Sequence, residues 1–535
     1  MINTDGAPKL KSSKTSILPI YLIINELPKQ VHLNKPVTCG LWIHKKKTDM
    51  TVFLDKFVDV INPLSNDGFK CKIKNEERLL KLYILTCMLE TMARGPVVGL
   101  IQFNGYYGCA WCLILGVHDG SMRYPYYFKD AEARTHEKTI EIMLRVAETK
   151  VLEWEVENVS ALMILKKFDV VWAFGPDHLH FDCEGTIKQF AYLFEKLLSL
   201  SDIAEIDETL KNLSVPKKIG RLSASFSCRK DWKAKEWENF ALYYSVTLFS
   251  KYLPLVNMKD WLLYVESMHI LLQDEIHISE LNKAHEMLQK FVSQTEDLHG
   301  LEQMTYNLHQ CMHICEYILK WGLMWTNSTF AFETANYYLL RMIKSSRGAL
   351  LQMVRHVNTN HTLMILEDYL KRNGGEESSW CIDDILSRRV QNVHKSINSI
   401  SYFGRGYFDN TSYDILKCFN LEEISTKFYY KIVKDSCLYE SCLIQKCRSN
   451  NSFALLKNGT FIQIVGFILD INNHETTVCK IVQTEYYFLN CNKIEKIIEV
   501  SNDLSRISTL DIERICVFIH AEKDYLSPVP NLIHY

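Results

Sequence analysis

The pattern of hydrophobic and polar positions gives the first quarter of the chain the character of a layered α/β domain. β-Rich runs cover residues 16–27 and 37–44, and apolar positions at helical spacing follow over residues 50–64. Residues 79–89 form a near-continuous apolar run, which is typical of a strand buried on both faces of a sheet. Strands with covering helices predict an α/β core in this region.

Between about residues 130 and 320 the pattern changes, because apolar positions recur every three or four residues, as on one face of a helix. The segments with this spacing predict helices at residues 139–150, 235–250, 261–272, 278–291 and 304–319. Another helix is predicted at residues 330–344. A helical block of this length predicts a subdomain of its own.

The C-terminal part alternates between apolar and polar positions in the manner of short β-strands. These predicted strands cover residues 453–456, 461–471, 477–487, 497–500 and 514–520. Asn458-Gly459 and Asn472-Asn473 are turn signals between them. The pattern predicts a small β-barrel-like domain, which a mixed region rich in Ser, Asn and Gly joins to the rest.

These patterns together predict five regions along the chain. They are the N-terminal part of the core with a CxxC motif at residues 1–125, a helical insertion at 126–325, the last core helix region at 326–372, a mixed linker region at 373–450 and the small β-rich domain at 451–535.

Composition narrows the class of protein. With 535 residues, 47% of them hydrophobic and 23% charged, the chain is expected to be globular with more than one core. The formal net charge of −2 weighs against extensive binding to a phosphate backbone, which usually needs a basic excess. The densest basic run, at residues 44–47, is typical of a solvated turn. Any nucleic-acid binding is therefore expected to depend on local charge and on metal ions.

The sequence also indicates a compartment. No apolar run approaches the roughly 18 residues that a membrane-spanning helix needs, and no signal peptide precedes the polar start of the chain. The 17 cysteines show no regular framework, as expected for reduced thiols or metal ligands. A nuclear or cytoplasmic protein without a membrane partner is predicted.

Four residues have the types and spacing of a zinc site. Cys109 and Cys112 form a CxxC pair, and His309 and His313 lie four residues apart on a predicted helix. Imidazoles at this spacing share one helix face and can bind one tetrahedral Zn²⁺ together with two thiolates.

Three acidic residues stand where predicted strands or helices end or begin. Asp5 precedes an extended stretch, Glu90 directly follows the apolar run at residues 79–89, and Glu333 comes early in the predicted helix at residues 330–344. Carboxylates from two strands and a helix can converge on two divalent cations, which promote in-line displacement at a phosphodiester.

The residue types alone leave alternatives open for both sets. A histidine pair four residues apart is also typical of a satisfied surface or core pair. Cys311 and Cys315 have the same spacing and are typical of core thiols, although they could serve as ligands instead. Each acid, taken singly, is typical of a helix cap or a solvated charge.

Ordered motifs resemble those of cut-and-paste DNA transposases of the CACTA/Mirage/Chapaev group. The motifs are NTDG at residues 3–6, KSSK at 11–14, PIY at 19–21, NELP at 25–28, AR at 93–94, QFNGYYGCAWCL at 102–113, DHLH at 177–180 with Gly185, WKA at 232–234 with Glu236, WG at 321–322 and FE at 332–333. The block at residues 102–113 is highly specific, and the order of the others adds to it. The resemblance extends more weakly into the C-terminal part, where VPNL at residues 529–532 is similar to the family's closing motif.

The resemblance implies an α/β RNase H-like core that is interrupted by a large all-helical insertion and followed by a small β-rich C-terminal domain. It implies that Asp5, Glu90 and Glu333 are the catalytic acids of a DDE enzyme that binds Mg²⁺ or Mn²⁺. The implied activity is DNA strand cleavage and transfer by two-metal phosphoryl transfer. The implied partner is the DNA of the transposon ends, and the resemblance leaves a homo-oligomer open.

In enzymes of this type a CxxC just after the second acid and a histidine pair just before the third form one structural zinc site. Cys109 lies 19 residues after Glu90, and Glu333 lies 20 residues after His313. The resemblance therefore implies that Cys109, Cys112, His309 and His313 bind a single Zn²⁺ that joins the insertion to the core.

Two departures from the family predict an impaired or inactive enzyme. The family has Asp at the position of Glu90, and a carboxylate displaced by about 1 Å can cost about a hundredfold in rate. Only four residues precede Asp5, whereas a strand usually has about five or six, and the family's upstream DNA-binding region is absent. The chain therefore resembles a truncated, domesticated or decayed copy.

Other interpretations stay open. The chain could be a zinc-stapled scaffold or a DNA-associated regulator that has lost the chemistry, or a fragment without function. Asp177, after a strand-like run at residues 170–174, is a weaker candidate for the second acid. The sequence assigns no role to Asp177 and His180.

Overall fold

The computed structural model describes most of the chain. The described residues are 1–6, 16–27, 36–44, 49–73, 76–101, 103–126, 130–345, 348–373, 393–397, 399–404, 406, 409–421, 426–444, 449–488, 491 and 493–531. Parts of the sequence patterns lie outside them, namely residues 11–14, Pro28, residues 45–47, Gln102, residues 374–392 and Leu532.

The chain forms two compact units, and each is built from two separate segments of the sequence. The first unit comprises Met1–Thr186 and Leu281–Ser379, and the second comprises Ile187–Glu280 and Trp380–Tyr535. The region predicted as one helical insertion is therefore shared, because its two ends belong to the first unit and its middle to the second.

The helices and strands of the described residues are numbered in chain order. The helices are α1 (Met50–Asn66), α2 (Thr91–Val98), α3 (His136–Thr149), α4 (Lys188–Glu195), α5 (Leu200–Asn212), α6 (Ala234–Asn239), α7 (Ser245–Phe249), α8 (Leu255–Leu271), α9 (Ile278–His299), α10 (Tyr306–Gln310), α11 (Ile314–Trp321), α12 (Phe330–Arg341), α13 (Ala349–Asn373) and α14 (Asn410–Cys418). π-Helical segments cover His178–Ile187 and Phe240–Tyr244. None of these helices is both long and apolar enough to cross a bilayer.

The strands follow the same numbering. They are β1 (Ile2–Asn3), β2 (Ser16–Leu22), β3 (Val37–His44), β4 (Phe69–Ile73), β5 (Glu76–Leu80), β6 (Val117–Asp119), β7 (Ser121–Arg123), β8 (Val393–Ile397), β9 (Ile400–Phe403), β10 (Thr426–Tyr429), β11 (Lys431–Lys434), β12 (Cys437–Glu440), β13 (Phe453–Leu456), β14 (Phe461–Asp470), β15 (Glu475–Tyr486), β16 (Glu495–Val500), β17 (Ser505–Ser508), β18 (Ile512–His520) and β19 (Asp524–Pro528).

The first unit contains an antiparallel sheet in the order β1-β2-β3. Residues 86–88 add to the free side of β1 in the parallel direction. The amide of Ile2 donates to the Thr86 carbonyl at 2.9 Å, and the amide of Met88 donates to the Ile2 carbonyl at 2.9 Å. The end of β1 and the end of this added segment therefore lie at the same edge of the sheet.

The predicted strand at residues 79–89 has two different parts. Leu79 and Leu80 end β5, which pairs with β4 in an exposed hairpin. The buried part begins at Ile84, and the Cys87 amide donates to the Ala173 carbonyl at 2.7 Å. The first part of this apolar run thus pairs with β4, and the second part pairs with β1 and residue 173. Hydrophobicity alone does not show where one pairing ends and the other begins.

Helix α12 packs on the same sheet. The rings of Tyr21, in β2, and Phe332 stack with centroids 6.1 Å apart. The Tyr21 hydroxyl donates to the side-chain oxygen of Asn336 at 3.1 Å. Phe332 and Asn336 are four residues apart and share one helix face, so this face fixes how α12 lies against the sheet.

The second unit combines helices with a closed β-structure. Among its described strands, six form a ring in the order β14-β13-β18-β19-β16-β15, which closes because β15 also pairs with β14. The pairings are antiparallel, with β10 and β17 added outside the ring. The strands predicted in the C-terminal part belong to this barrel. A separate sheet has the order β12-β11-β9-β8.

Candidate metal centre and acidic cluster

Four residues from distant parts of the first unit bring their donor atoms together. The Sγ of Cys109 lies 3.4 Å from Nε2 of His313, and the Sγ of Cys112 lies 3.4 Å from Nε2 of His309 and 3.6 Å from Nε2 of His313. The two Nε2 atoms are 3.1 Å apart. The predicted ligands are thus assembled in a group that could hold a metal ion.

The cysteine loop is held by a buried arginine. The guanidinium of Arg134 donates to the carbonyls of Cys109 at 2.9 Å, Tyr107 at 2.7 Å and Trp154 at 2.9 Å. A buried loop has no sheet partners for its carbonyls, and a side chain must supply the hydrogen bonds instead. The indole of Trp111 donates to the Phe174 carbonyl at 2.8 Å, which ties the loop to the core beside residue 173.

The histidines are placed differently from the sequence prediction. A continuous helix was expected at residues 304–319, whereas α10 ends at Gln310 and α11 begins at Ile314. His313 stands in the turn between them, with φ −107° and ψ −14°. The two histidines therefore do not lie on one continuous helix. Their Nε2 atoms nevertheless lie close to each other and to the thiols.

Protonation differs between the two thiols of this group, because the hydrogen bond with Cys109 and burial raise the pKa of Cys112. Burial opposes the thiolate of Cys109, but a hydrogen bond from Cys112 and the charges of His313 and His309 lower the pKa of Cys109 well below its usual value. Burial lowers the pKa of His309. A thiolate and a neutral imidazole are the forms that ligate metals.

The alternative ligands lie outside this group. Burial raises the pKa of Cys311, and its thiol faces Thr186 and the charge of Asp182. Burial raises the pKa of Cys315 to about 12. Both keep their protons at neutral pH, as expected for core thiols.

The three candidate catalytic acids lie near one another beside the sheet, but among the described residues their carboxylates do not all come within 4.8 Å of one another, as the donor atoms of the cysteine–histidine group do. Burial, followed by the charge of Glu90, raises the pKa of Asp5 to about 7, and Glu333 contributes in the same direction. Burial raises the pKa of Glu333, again with a contribution from Glu90. Charges act on one another in this way only at short range, so acids separated by 328 positions in the sequence lie in the same region of the first unit.

The structure argues against a helix-capping role for Glu90 and against a solvated charge at Asp5. Glu90 occupies the N-cap position of α2, but its side chain makes no capping hydrogen bond. Asp5 is buried and accepts from the amide of Gly6 at 2.6 Å, so it is not a solvated charge. Glu333 lies in the first turn of α12, where the helix dipole also favours an acid.

Two residues without a predicted role stand inside this cluster. Nδ1 of His180 lies 2.6 Å from Oδ2 of Asp177, and its Nε2 lies 3.7 Å from Oε2 of Glu90. Burial lowers the basicity of the imidazole, but Asp177, Glu90 and Asp5 together raise the pKa of His180 to about 9. Hydrogen bonds from His180 and Thr329 overcome the effect of burial and lower the pKa of Asp177. His180 is therefore a cation among acids.

A second buried group was not predicted. His178, Asp182 and Cys183 place donor atoms within 4.8 Å of one another, with Nδ1 of His178 2.7 Å from Oδ2 of Asp182. The three residues stand on the π-helical segment His178–Ile187. A spacing of four and five residues in one helix is a weak signal, because most such sets are ordinary core contacts.

Comparison with known proteins adds no family. The chain matches no protein-family model. No curated protein matches it either.

Proposed function

We propose that the first unit is the catalytic unit of a DDE-type DNA transposase or nuclease, related to the CACTA/Mirage/Chapaev group. Its activity is metal-dependent DNA strand cleavage followed by strand transfer. The observation that carries the proposal is that Asp5 and Glu90 follow two paired parallel segments while Glu333 stands on the helix that packs against β2, close enough for the charges of Glu90 and Glu333 to act on Asp5.

The arrangement of the sheet supports an RNase H-like core. Its order is β3-β2-β1, with residues 86–88 parallel to β1. One acid follows β1, a second follows residues 86–88, and the third stands on a helix packed against β2. This is the placement that the family resemblance implies for its three acids.

The acids supply the oxygen ligands that Mg²⁺ and Mn²⁺ prefer. When bound, two such ions polarise the phosphodiester and activate the attacking oxygen. Asp5 and Glu333 are desolvated and carry raised pKa values, so a neutralising cation would favour their ionised forms. Glu90 is the more accessible acid, with a side chain 35% exposed.

Zinc is the proposed ion at the cysteine–histidine group. Zn–N distances of about 2.0–2.1 Å and Zn–S distances of about 2.3 Å place the ligand atoms of a tetrahedral site about 3.3–3.8 Å apart. The observed separations run from 3.1 to 3.6 Å. Two sulfur and two nitrogen donors in a buried, closed set are typical of structural rather than catalytic zinc.

A second function has its own support. The net charge of −2 and the cationic His180 beside Glu90 favour a zinc-stapled scaffold or DNA-associated regulator without catalysis. In that protein the imidazolium, rather than metal ions, neutralises the acids.

The two functions are separated by metal binding and DNA nicking with the full chain. Mn²⁺ affinity is measured by calorimetry, and nicking of supercoiled plasmid is followed with Mg²⁺ or Mn²⁺. We expect Asp5→Asn and Glu333→Gln to abolish both, and Glu90→Asp to raise the nicking rate by up to about a hundredfold. Glu137→Gln, at an exposed acid in the first turn of α3, is the matched control.

Absence of Mn²⁺ binding and of DNA nicking would decide against catalysis. If neither the wild-type chain nor the Glu90→Asp variant binds Mn²⁺ or nicks DNA while both retain their zinc, the catalytic proposal fails and the scaffold function stands.

A further inference from the structure

A connection made of hydrogen bonds and one longer ion-pair contact runs between two of the three acids. Asp177 is 1% exposed. Its Oδ1 accepts from the Thr329 amide at 2.9 Å, and its Oδ2 accepts from the Thr329 hydroxyl at 2.6 Å. Thr329 is the residue directly before α12, so Asp177 fixes the start of the helix on which Glu333 lies one turn later.

The same carboxylate orients His180. Oδ2 of Asp177 accepts from the His180 amide at 3.1 Å and lies 2.6 Å from Nδ1 of the ring. A carboxylate on one ring nitrogen determines which way the other nitrogen points. Here Nε2 points to Glu90, whose Oε2 is 3.7 Å away.

This connection rests on the proposed function and adds a role to it. We propose that Asp177, His180 and Thr329 are positioning residues that set the separation between Glu90 and Glu333 for divalent metal binding. Glu90 lies on a loop between residues 86–88 and α2, and α12 is a separate element. Asp177 contacts Thr329, which precedes the helix of Glu333, and His180, which contacts Glu90. The distance between the two carboxylates therefore does not depend on backbone packing alone.

The side-chain length at position 90 determines whether His180 can contact this acid. A Glu90→Asp change withdraws the carboxylate by about 1 Å, which takes it away from Nε2 of His180. The contact at 3.7 Å is already at the edge of an ion pair, and the shorter side chain therefore loses it. His180 should then no longer affect the position of the carboxylate at residue 90.

Paired variants test the connection without altering charge between the members of a pair. His180→Gln keeps an amide donor near the position of Nε2, whereas His180→Asn keeps only a group near Nδ1, and both are neutral. Thr329→Ser keeps the hydroxyl, and Thr329→Val removes it. Outer-shell changes typically cost 10–100-fold in metal affinity, so we expect Mn²⁺ affinity about tenfold weaker in the Asn and Val variants than in their partners.

The difference between Gln and Asn at position 180 should disappear in a Glu90→Asp background, which makes a double-mutant cycle. Zinc content and melting temperature, which a general loss of structure would lower, should be the same within each pair. Glu137→Gln is again the control for Mn²⁺ affinity.

The inference and the proposed function can fail separately. If Mn²⁺ binding depends on Asp5 and Glu333 but the members of each pair bind alike, the positioning role is overturned and the function stands. An Asn variant that binds more tightly than the Gln variant would also overturn it. If no Mn²⁺ binding depends on Asp5 and Glu333, the proposed function is overturned first.

Discussion

At the scale of residues, two histidines show how surroundings determine charge. His180 stands among acids, and its pKa is raised to about 9 in spite of burial. His269, in α8, is buried against the Leu242 carbonyl at 2.9 Å, and burial lowers its pKa to about 4. At neutral pH one imidazole is charged and the other is not.

The neutral histidine makes stability depend on pH. Unfolded His269 binds a proton with its usual pKa of 6.5, whereas the folded residue does so only near pH 4. The unfolded state therefore holds more protons between these values, and the stabilisation is lost as the pH falls. From pH 7 to pH 5 the free energy of unfolding should drop by about 2 kcal/mol through this residue.

Urea unfolding at both pH values measures this drop. His269→Gln can keep a hydrogen bond to the Leu242 carbonyl but cannot titrate, so its drop should be smaller by that amount. Equal drops in the two proteins would contradict the assignment.

The zinc site gives a second prediction for single residues. Cys112→Ser should lower zinc from about one ion per chain to near zero, because it removes one of four ligands. Cys315→Ser, which changes a core thiol outside the site, should leave zinc content unchanged. Elemental analysis of the purified proteins measures it, and loss in both variants or in neither would count against the four-residue site. A wild-type content near two would assign a second ion to His178, Asp182 and Cys183.

The sequence predicted the four residues of the candidate metal site because their types and order are distinctive. It could not predict the environment of His180 or of Asp177. Both depend on contacts with Thr329 and Glu90, which lie far away in the sequence and leave no local pattern.

At the scale of elements, local patterns predicted regular helices and strands better than their interruptions. Helix α9 begins at Ile278 as expected, although it extends to His299. The break between α10 and α11 was not expected, because residues 304–319 keep helical spacing through it. His313 lies in this break and contacts both thiols, and periodicity along the sequence does not show such a tertiary contact.

The barrel contains another interruption, at a glycine in β14. The register with β15 shifts between Ile464 and Gly466, as at a β-bulge. A Cβ on Gly466 would lie 2.0 Å from Cζ of Phe428, a fully buried side chain in β10. The glycine thus provides the space in which the Phe428 ring packs.

Gly466→Ala should destabilise the barrel by about 1–3 kcal/mol or more, because a packed ring must move. Gly220→Ala is the control, since a Cβ there meets nothing within 4 Å, and it should change stability by less than about 0.5 kcal/mol. Chemical denaturation followed by circular dichroism compares them. A Gly466→Ala protein as stable as the control would show that the ring is not confined.

At the scale of the whole molecule, the candidate metal ligands come from both sequence segments of the first unit. Cys109 and Cys112 belong to Met1–Thr186, and the histidines belong to Leu281–Ser379. A metal ion that links residues about 200 positions apart restricts the unfolded chain strongly. We therefore expect removal of the ion to lower the stability of this unit. The hydrophobic pattern did not predict these units, because it reports local periodicity and not which distant segments pack together.

Chelation should therefore act on one unit. Hydrogen exchange with and without a strong zinc chelator should show faster exchange in peptides covering residues 105–115 and 306–314. Peptides from β14 and β18, in the second unit, should exchange at unchanged rates. Equal acceleration in both sets would contradict the assignment of the metal to the first unit.

The division of the first unit into two segments has a consequence for its synthesis. Asp5, Glu90 and the thiols leave the ribosome long before His309 and Glu333. At about 5–20 residues per second, the intervening 200 residues take roughly 10–40 s to be translated. During that interval the two thiols and two of the three acids lack the residues that they contact in the folded unit, and we therefore expect reducing conditions to favour correct assembly of this unit.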